Sequence, residues 1–73
     1  MELHAVTSAN LAAIGYDPDS KTLAVRFRSG ALWHYVGVPA KVYAELHAAK
    51  SHGRYFGLHI RPYYRGVRQE EAR

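Results

Sequence analysis

The sequence contains no cysteine among its 73 residues. This excludes a disulfide framework and any zinc site built on thiolates, two common ways of stabilising a short chain. A chain of this size buries only about 60% of the surface that it exposes when unfolded. Its stability must therefore come from the packing of large side chains, and nine aromatic residues (one Trp, six Tyr, two Phe) are available for it.

Long apolar runs are also absent. No stretch approaches the ~18 consecutive apolar residues that are typical of a transmembrane helix. The first residues, Met1-Glu2-Leu3-His4, lack the basic and then apolar layout of a secretory signal. We therefore expect a cytoplasmic protein that does not contact a membrane.

Acidic residues are missing from one third of the chain. No Asp or Glu occurs between Glu45 and Glu70, whereas the same interval contains the basic residues Lys50, Arg54, Arg61, Arg65 and Arg68. The whole chain has ten Lys and Arg against six Asp and Glu, which gives a formal net charge of +4. This positive segment favours an anionic partner, either a nucleic acid or an acidic protein surface.

Alternating apolar residues predict three strands. A turn cluster at residues 17–20 separates the runs 11–16 and 22–28, and a Gly turn at residues 29–30 leads to a third β-rich run, 32–36. Runs joined by turns this short pair as neighbouring antiparallel strands. The predicted sheet is therefore an antiparallel meander.

The length of the loop at Gly30 leaves two registers open for the second hairpin. A two-residue loop pairs Arg26 with Trp33 and places Trp33 and Tyr35 on the outer face, as a platform of rings and arginines suited to stacking bases. A three-residue loop with a bulge shifts the strand by one residue and turns both rings into the core beside Val25. We favour the core register, because burying Trp33 contributes more to stability.

One helix is predicted after the sheet. Pro39 suits a first helical position, apolar residues recur at helical spacing over residues 42–49, and Gly53 is a natural left-handed end. Phe56 and Ile60 return apolar bulk to the core. The expected fold is α+β: a three-stranded antiparallel β-meander followed by one amphipathic helix and a short C-terminal helical turn or tail. Residues 1–64 are expected to form a single domain, and residues 65–73 a basic, mobile tail.

Together these segments resemble the KTSC domain family. The residues that carry the resemblance are Val6-Thr7-Ser8, Leu11-x-x-Ile14-Gly15-Tyr16-Asp17, Leu23-x-Val25-x-Phe27-x-x-Gly30, Trp33-His34-Tyr35, Val38-Pro39, Val42-Tyr43-x-x-Leu46, Ala49-x-Ser51-x-Gly53-x-Tyr55-Phe56 and Ile60-Arg61-x-x-Tyr64. The match spans residues 6–64. Two positions depart from the family pattern: the family's Tyr-x-Tyr is Trp33-His34-Tyr35 here, and the usual Asn after Tyr-Phe is Gly57.

The resemblance implies a small α+β domain that occurs at the C-terminus of some lysyl-tRNA synthetases and also as stand-alone proteins. It implies RNA binding as one function and supplies no catalytic residues. In size and layout the whole chain is also similar to small phage-encoded regulators that bind host RNA polymerase.

Catalytic and metal sites are not expected. His47 and His52 are five residues apart, which is not the i, i+4 spacing of a helical zinc site, and no cysteine completes a ligand set. Asp17 and Asp19, the acids nearest the hairpins, are explained by their turn. We therefore predict no enzyme activity, no metal and no cofactor or small-molecule substrate.

A binding function remains, and the candidate residues are basic or aromatic. They are Arg26, Arg28, Trp33, Arg61, Tyr64, Arg65 and Arg68. The first hypothesis is a monomeric transcription regulator that binds an acidic protein surface, such as an RNA polymerase subunit, because Arg and Tyr dominate interface hot spots and a sheet edge can accept a strand. The alternative is a single-domain RNA-binding module. The protein partner is favoured, because the basic residues are spread over sheet, helix and tail.

Overall fold

Within residues 1–69, a five-stranded antiparallel sheet forms one layer and two helices form the other. The computed structural model describes residues 1–69. Its elements are β1 (His4–Ala5), β2 (Leu11–Asp17), β3 (Thr22–Phe27), β4 (Leu32–Val36), α1 (Ala40–Ala48), α2 (His52–His59) and β5 (Gly66–Gln69). The strands lie in chain order, β1-β2-β3-β4-β5, and each pairs antiparallel with the next. Both helices belong to the connection between β4 and β5.

The α+β class and the antiparallel sheet are as predicted, but the count of three strands is wrong. Strand β1 has two residues, too few to produce an alternating pattern. Strand β5 lies in the segment predicted as a mobile tail, where residues 66–69 read Gly-Val-Arg-Gln. Its inward positions are Gly66 and Arg68, opposite Tyr35 and Trp33, so it has no apolar alternation to recognise. Residues 70–73 of the predicted tail lie outside the described residues.

The predicted end of the first helix at Gly53 is also wrong. Helix α1 ends at Ala48, and Ala49 is already extended. Ser51 then starts α2, since its side chain accepts a hydrogen bond from the backbone N–H of Arg54 at 3.3 Å. Gly53 therefore lies inside a second helix, where only a short helical turn was expected.

The second hairpin has the register that buries its aromatic residues. Val25 is paired with Trp33, and the N–H of Phe27 donates to the carbonyl of Ala31 at 2.9 Å across a three-residue loop. Gly30, the last loop residue, has φ +99°, a conformation that favours glycine. The core register is thus confirmed, and Trp33 lies on the face of the sheet that packs against the helices.

The core lies between that inner face and the two helices. Seven side chains are completely buried in it: Leu11, Ile14, Leu23, Val25, Val38, Leu46 and Ile60. On α1, the ring of Tyr43 stacks on that of Tyr16 with centroids 4.9 Å apart. Phe56 of α2 is 4% exposed, so the prediction that Phe56 and Ile60 anchor the second half of the chain is confirmed.

Candidate functional site

An open cleft of about 720 Å³ lies beside the core on the inner face of the sheet. One wall is formed by strands β3, β4 and β5, and the other by α2 and the turn that follows it. The hairpin loop between β3 and β4 closes one end, where Arg28 and Ser29 line the cleft together with Asn10. The cleft occupies the part of the inner face that the helices leave uncovered.

Aromatic rings form the lining on the sheet side. Trp33 and Tyr35 are two residues apart on one strand, so their side chains share a face; their rings lie within 22° of parallel, with centroids 6.4 Å apart. Phe56 of α2 meets the ring of Tyr35 edge-on at 5.2 Å and that of Phe27 at 5.7 Å. These edge-to-face contacts hold the rings in place.

Glycine at position 66 makes room for the ring of Tyr35. A Cβ at that position would lie 2.5 Å from Cε2 of Tyr35, a distance that real Cβ atoms do not show. Because Gly66 is paired with Tyr35 across the sheet, the ring covers the backbone of β5. This close approach shapes one end of the cleft.

Three arginines from three separate elements line the cleft. Arg28 comes from the hairpin loop, Arg61 from the turn after α2, and Arg68 from β5 opposite Trp33. No Asp or Glu lines the cleft within residues 1–69. The Nε–H of Arg28 donates to the carbonyl of Ser8 at 2.5 Å, whereas Arg61 and Arg68 make no side-chain hydrogen bond or ion pair with the described residues.

The charge of Arg61 acts on the buried phenol of the cleft. Burial raises the pKa of Tyr35, and the positive charge of Arg61 partly opposes this rise. Tyr35 is 5% exposed, and its hydroxyl has no hydrogen-bond partner among the described residues. The cleft therefore combines fixed positive charge with polar atoms that have no partner within the described chain.

The structure brings together five of the seven residues predicted to bind a partner. Arg28, Trp33, Arg61, Tyr64 and Arg68 all line the cleft. Although they are spread along the sequence, they converge in space, because β5 returns the end of the described chain to the side of β4.

Two predicted residues lie elsewhere. Arg26 has the opposite parity to Val25 on β3, so it lies on the outer face, where its guanidinium donates to the carbonyl of Gly30 at 2.9 Å. Arg65 is exposed beside the start of β5, and its carbonyl accepts a hydrogen bond from Val36. Neither lines the cleft.

Sequence reasoning missed several residues of the cleft. Tyr35 and Phe56 were assigned to the core, and Phe27 and Asn10 were not singled out as binding residues. The signal available in the sequence was the common parity of Trp33 and Tyr35, which places both rings on one face whichever register holds. What it could not show is that the helices stop short of covering Trp33, which stays half-buried.

The histidines of the described chain do not form a metal site. No group of three or more His, Asp or Glu residues able to hold a metal ion is found within residues 1–69. His4 and His47 meet edge to face at 6.5 Å, and the ring of His52 contacts the carbonyl of His47 at 3.2 Å. Neither helix is long and apolar enough to cross a bilayer.

Comparison with known sequences decides the family. A sequence model described as the KTSC domain matches residues 7–64, which include Trp33, Phe56 and Tyr64. This chain belongs to the KTSC domain family. The match confirms the resemblance carried by the segments between Val6 and Tyr64.

Similar proteins agree with this assignment. A crystal structure of a KTSC domain protein from Yersinia pestis is similar over 94% of this chain and 97% of its own, with TM-score 0.91 and 30% identity. A protein of Tsukamurella paurometabola is 42% identical over 62 residues, covering 85% of this chain and 92% of its own length. Nothing in these comparisons supports the likeness to phage regulators.

One relative carries the similar segment within a much larger protein. A lysine–tRNA ligase of Nostoc is 41% identical over 49 residues, which is 67% of this KTSC chain but 9% of the ligase. Sequences similar to this chain thus occur both as small proteins and as a minor part of a synthetase.

Proposed function

We propose that this KTSC protein is a non-enzymatic binding module that holds single-stranded RNA in the cleft. The observation that carries the proposal is the lining itself. Three arginines and five aromatic rings surround one open space, with no carboxylate among the lining residues of the described chain. Modules that bind single strands combine these two features, a positive groove for the backbone and rings for the bases.

The rings suit an unpaired base. Trp33 is half-buried and packs against the core, so its position is fixed before a ligand arrives. A base stacked on such a ring contributes about 1–3 kcal/mol of binding free energy, and each of the four bases can stack in this way. A volume of about 720 Å³ falls within the roughly 300–1,000 Å³ typical of ligand sites.

The arginines suit phosphate. Guanidinium groups bind phosphate oxygens through paired hydrogen bonds, and the cleft presents those of Arg61 and Arg68 without partners among the described residues. A cleft lined by charge of one sign also raises the local concentration of a polyanion and its association rate. RNA contact through these groups should therefore weaken as salt rises.

The Nostoc relative supports an RNA partner. That relative is named a lysine–tRNA ligase, an enzyme whose substrate is an RNA. The similar segment is a small part of that ligase. A binding role for this chain is consistent with its occurrence as a minor segment of an enzyme that acts on RNA.

A second candidate is a protein partner in the transcription machinery, such as an acidic surface of an RNA polymerase subunit. Strand β5 is an edge of the sheet, and its outer backbone groups can pair with an incoming strand. Arg68 lies on that strand. We infer a cytoplasmic monomer for either candidate.

Binding of a labelled single-stranded RNA, followed by fluorescence anisotropy, tests the first candidate. The double variant Arg61→Gln/Arg68→Gln removes two cations from the cleft and should weaken binding by more than about tenfold, since a hydrogen bond to a charged group contributes about 1.5–3 kcal/mol. The matched control is Lys50→Gln/Arg54→Gln, which removes the same charge from exposed positions outside the cleft. It should bind nearly as well as the wild type.

Equal losses in both double variants would contradict the proposal, because they would show that net charge and not the cleft binds the RNA. Capture of RNA polymerase subunits from nuclease-treated lysate, lost in Arg68→Gln but not in Arg54→Gln, would favour the protein partner instead.

A further inference from the structure

The hydroxyl end of the Tyr35 ring lies over strand β5. A Cβ at Gly66 would stand 2.5 Å from Cε2 of Tyr35 and 2.9 Å from Cζ, the carbon that carries the hydroxyl. Gly66 itself lines the cleft and is paired with Tyr35 across the sheet. The hydroxyl is therefore located at the Gly66 end of the cleft, where any larger residue at position 66 would collide with the ring.

This hydroxyl is recessed but it is not sealed. Tyr35 is 5% exposed, and Phe56 packs edge to face against its ring. Within residues 1–69, the sealed side-chain polar atom that lacks a hydrogen-bond partner is Nδ1 of His52 and not the oxygen of Tyr35. That oxygen therefore keeps access to solvent, although no described residue bonds to it. A small group that protrudes from a ligand can reach it.

A positive charge lies near the hydroxyl. Burial raises the pKa of Tyr35, and the charge of Arg61 partly opposes this rise, so the guanidinium is within electrostatic range of the phenol. Arg61 also lines the cleft, and its side chain makes no hydrogen bond or ion pair with the described residues. A neutral phenol and a guanidinium can both donate hydrogen bonds to one acceptor group. Together they form a recess suited to an anion.

The phosphates of an RNA strand differ in how well they fit such a recess. An internal phosphodiester carries a single negative charge and has a ribose on each side, so it enters a narrow recess poorly. A terminal phosphomonoester protrudes from the RNA, with three free oxygens and about 1.5 to 2 negative charges at pH 7. Hydrogen bonds to an ionised acceptor are shorter and stronger than neutral ones. The recess therefore fits the end of an RNA strand better than its middle.

Building on the proposed RNA function, we infer that the cleft recognises a phosphorylated end of single-stranded RNA, with the terminal phosphomonoester bound by the hydroxyl of Tyr35 and the guanidinium of Arg61. The half-buried ring of Trp33, whose centroid lies 6.4 Å from that of Tyr35, remains available to the base. Arg68, opposite Trp33 in the sheet, remains available to an internal phosphate. Phosphate contacts of this kind fix the position of a nucleic acid without reading its sequence.

The test measures binding of one internally labelled oligonucleotide in three forms, with a 5′-phosphate, with a 3′-phosphate, or with hydroxyls at both ends. A phosphate at one of the two ends should tighten binding to the wild type by about tenfold or more, the change expected for a hydrogen bond to a charged group. A hydroxyl-ended oligonucleotide two nucleotides longer carries a similar added charge as internal phosphodiesters. It should bind nearly as well as the shorter hydroxyl-ended form.

Tyr35→Phe keeps the ring over Gly66 and removes the hydroxyl. It should bind the hydroxyl-ended oligonucleotide as the wild type does and lose most of the gain from the terminal phosphate. Tyr16→Phe is the matched control, because the hydroxyl of Tyr16 already donates to the carbonyl of Val38 within the fold. It should keep the whole gain.

The comparison of oligonucleotides on the wild type does not depend on the folding of a variant. Equal affinity for all three forms, with binding still lost in Arg61→Gln/Arg68→Gln, overturns recognition of the RNA end and leaves the proposed function intact. A phosphate gain that persists in Tyr35→Phe overturns the site assigned to it. Failure of every oligonucleotide to bind overturns the proposed function as well.

Discussion

The inner face of the sheet has two halves that use the same kinds of residue differently. In the packed half, around Ile14, Leu23 and Leu46, side chains are completely buried, and the hydroxyl of Tyr16 donates to the carbonyl of Val38. In the open half, the ring of Trp33 is only partly covered, and the hydroxyl of Tyr35 has no hydrogen-bond partner among the described residues although its ring is buried. The packed half makes its apolar contacts and hydrogen bonds within the protein, whereas the open half leaves side chains available to a ligand.

This difference indicates where stability and binding reside. The packed half removes apolar surface from water, the main favourable term in folding. The open half presents the partly covered ring of Trp33 and the exposed guanidinium groups of Arg61 and Arg68, which only an external molecule can cover. Substitutions in the packed half should therefore change the free energy of unfolding, and those in the open half should mainly change affinity.

The largest expected effect is on the packed half. Leu46→Ala leaves a cavity beneath α1 and should lower the free energy of unfolding by about 2–5 kcal/mol, measured by urea denaturation. Leu58→Ala is the matched control, since Leu58 is 53% exposed whereas Leu46 is 0% exposed. Its effect should stay within about 0.5 kcal/mol. Equal losses for the two would contradict the assignment of Leu46 to the core.

Replacing glycine with alanine should change the free energy of unfolding in opposite directions at positions 66 and 57. Gly66→Ala places a methyl group against Tyr35 and should cost about 1–3 kcal/mol, because the ring or β5 must move. Gly57→Ala, inside α2 with nothing within 4 Å of the added carbon, should stabilise by up to about 1 kcal/mol through helix propensity. Thermal unfolding of the two variants checks this. A stabilising Gly66→Ala would show that Tyr35 does not cover β5.

A smaller effect on the free energy of unfolding should distinguish Tyr16 from Tyr35. Tyr16→Phe removes the hydrogen bond to Val38 and should cost about 0.5–1.5 kcal/mol. Tyr35→Phe removes a hydroxyl without a partner in the described chain and should leave the free energy of unfolding unchanged or slightly raised. The same denaturation experiment measures both. A larger loss for Tyr35→Phe would mean that the open half is already satisfied internally.

The smallest effect is a pH dependence outside the sheet. The hydroxyl of Tyr55 donates to Oε1 of Glu45 at 2.6 Å, and this hydrogen bond raises the pKa of Tyr55 to about 12 from an ordinary value of 10.0. A raised folded-state pKa stabilises the fold below the ordinary value and loses that contribution as pH rises through the folded value. Wild type should therefore lose stability relative to Tyr55→Phe as the pH rises from 10 to 12.

Tyr63→Phe is the control for that pH series, because Tyr63 is 74% exposed. It should follow the wild type throughout. If Tyr55→Phe and Tyr63→Phe behave alike, Glu45 does not hold the proton of Tyr55 in solution.

The sequence predicts the parts of the fold that have local signals. The turns at residues 17–20 and 29–30 are marked by Pro, Asp and Gly, and the alternation around Val25 marks a strand with one buried face. The register at Trp33 followed from the stability that burial brings. Each of these signals lies within a few residues of the element that it predicts.

The remaining elements depend on contacts that are distant in the chain. Strand β5 forms because the edge of β4 is available for pairing. Gly66 and Arg68 face inward because they are paired with Tyr35 and Trp33, and Gly66 leaves room for the ring of Tyr35. The cleft likewise depends on where α2 ends, and the spacing of apolar residues in the sequence does not predict that position. Arginines that are separate in sequence could therefore be predicted as binding residues but not as neighbours.

The most direct test of the account is the fluorescence of Trp33 during a titration with single-stranded RNA. The chain has one Trp, so its emission reports on the cleft alone. RNA bound in the cleft should give a saturable change that weakens as salt rises and that is lost in Arg61→Gln/Arg68→Gln but kept in Lys50→Gln/Arg54→Gln. RNA that binds by anisotropy while the emission of Trp33 stays constant would contradict it, because the RNA would then lie elsewhere on the molecule.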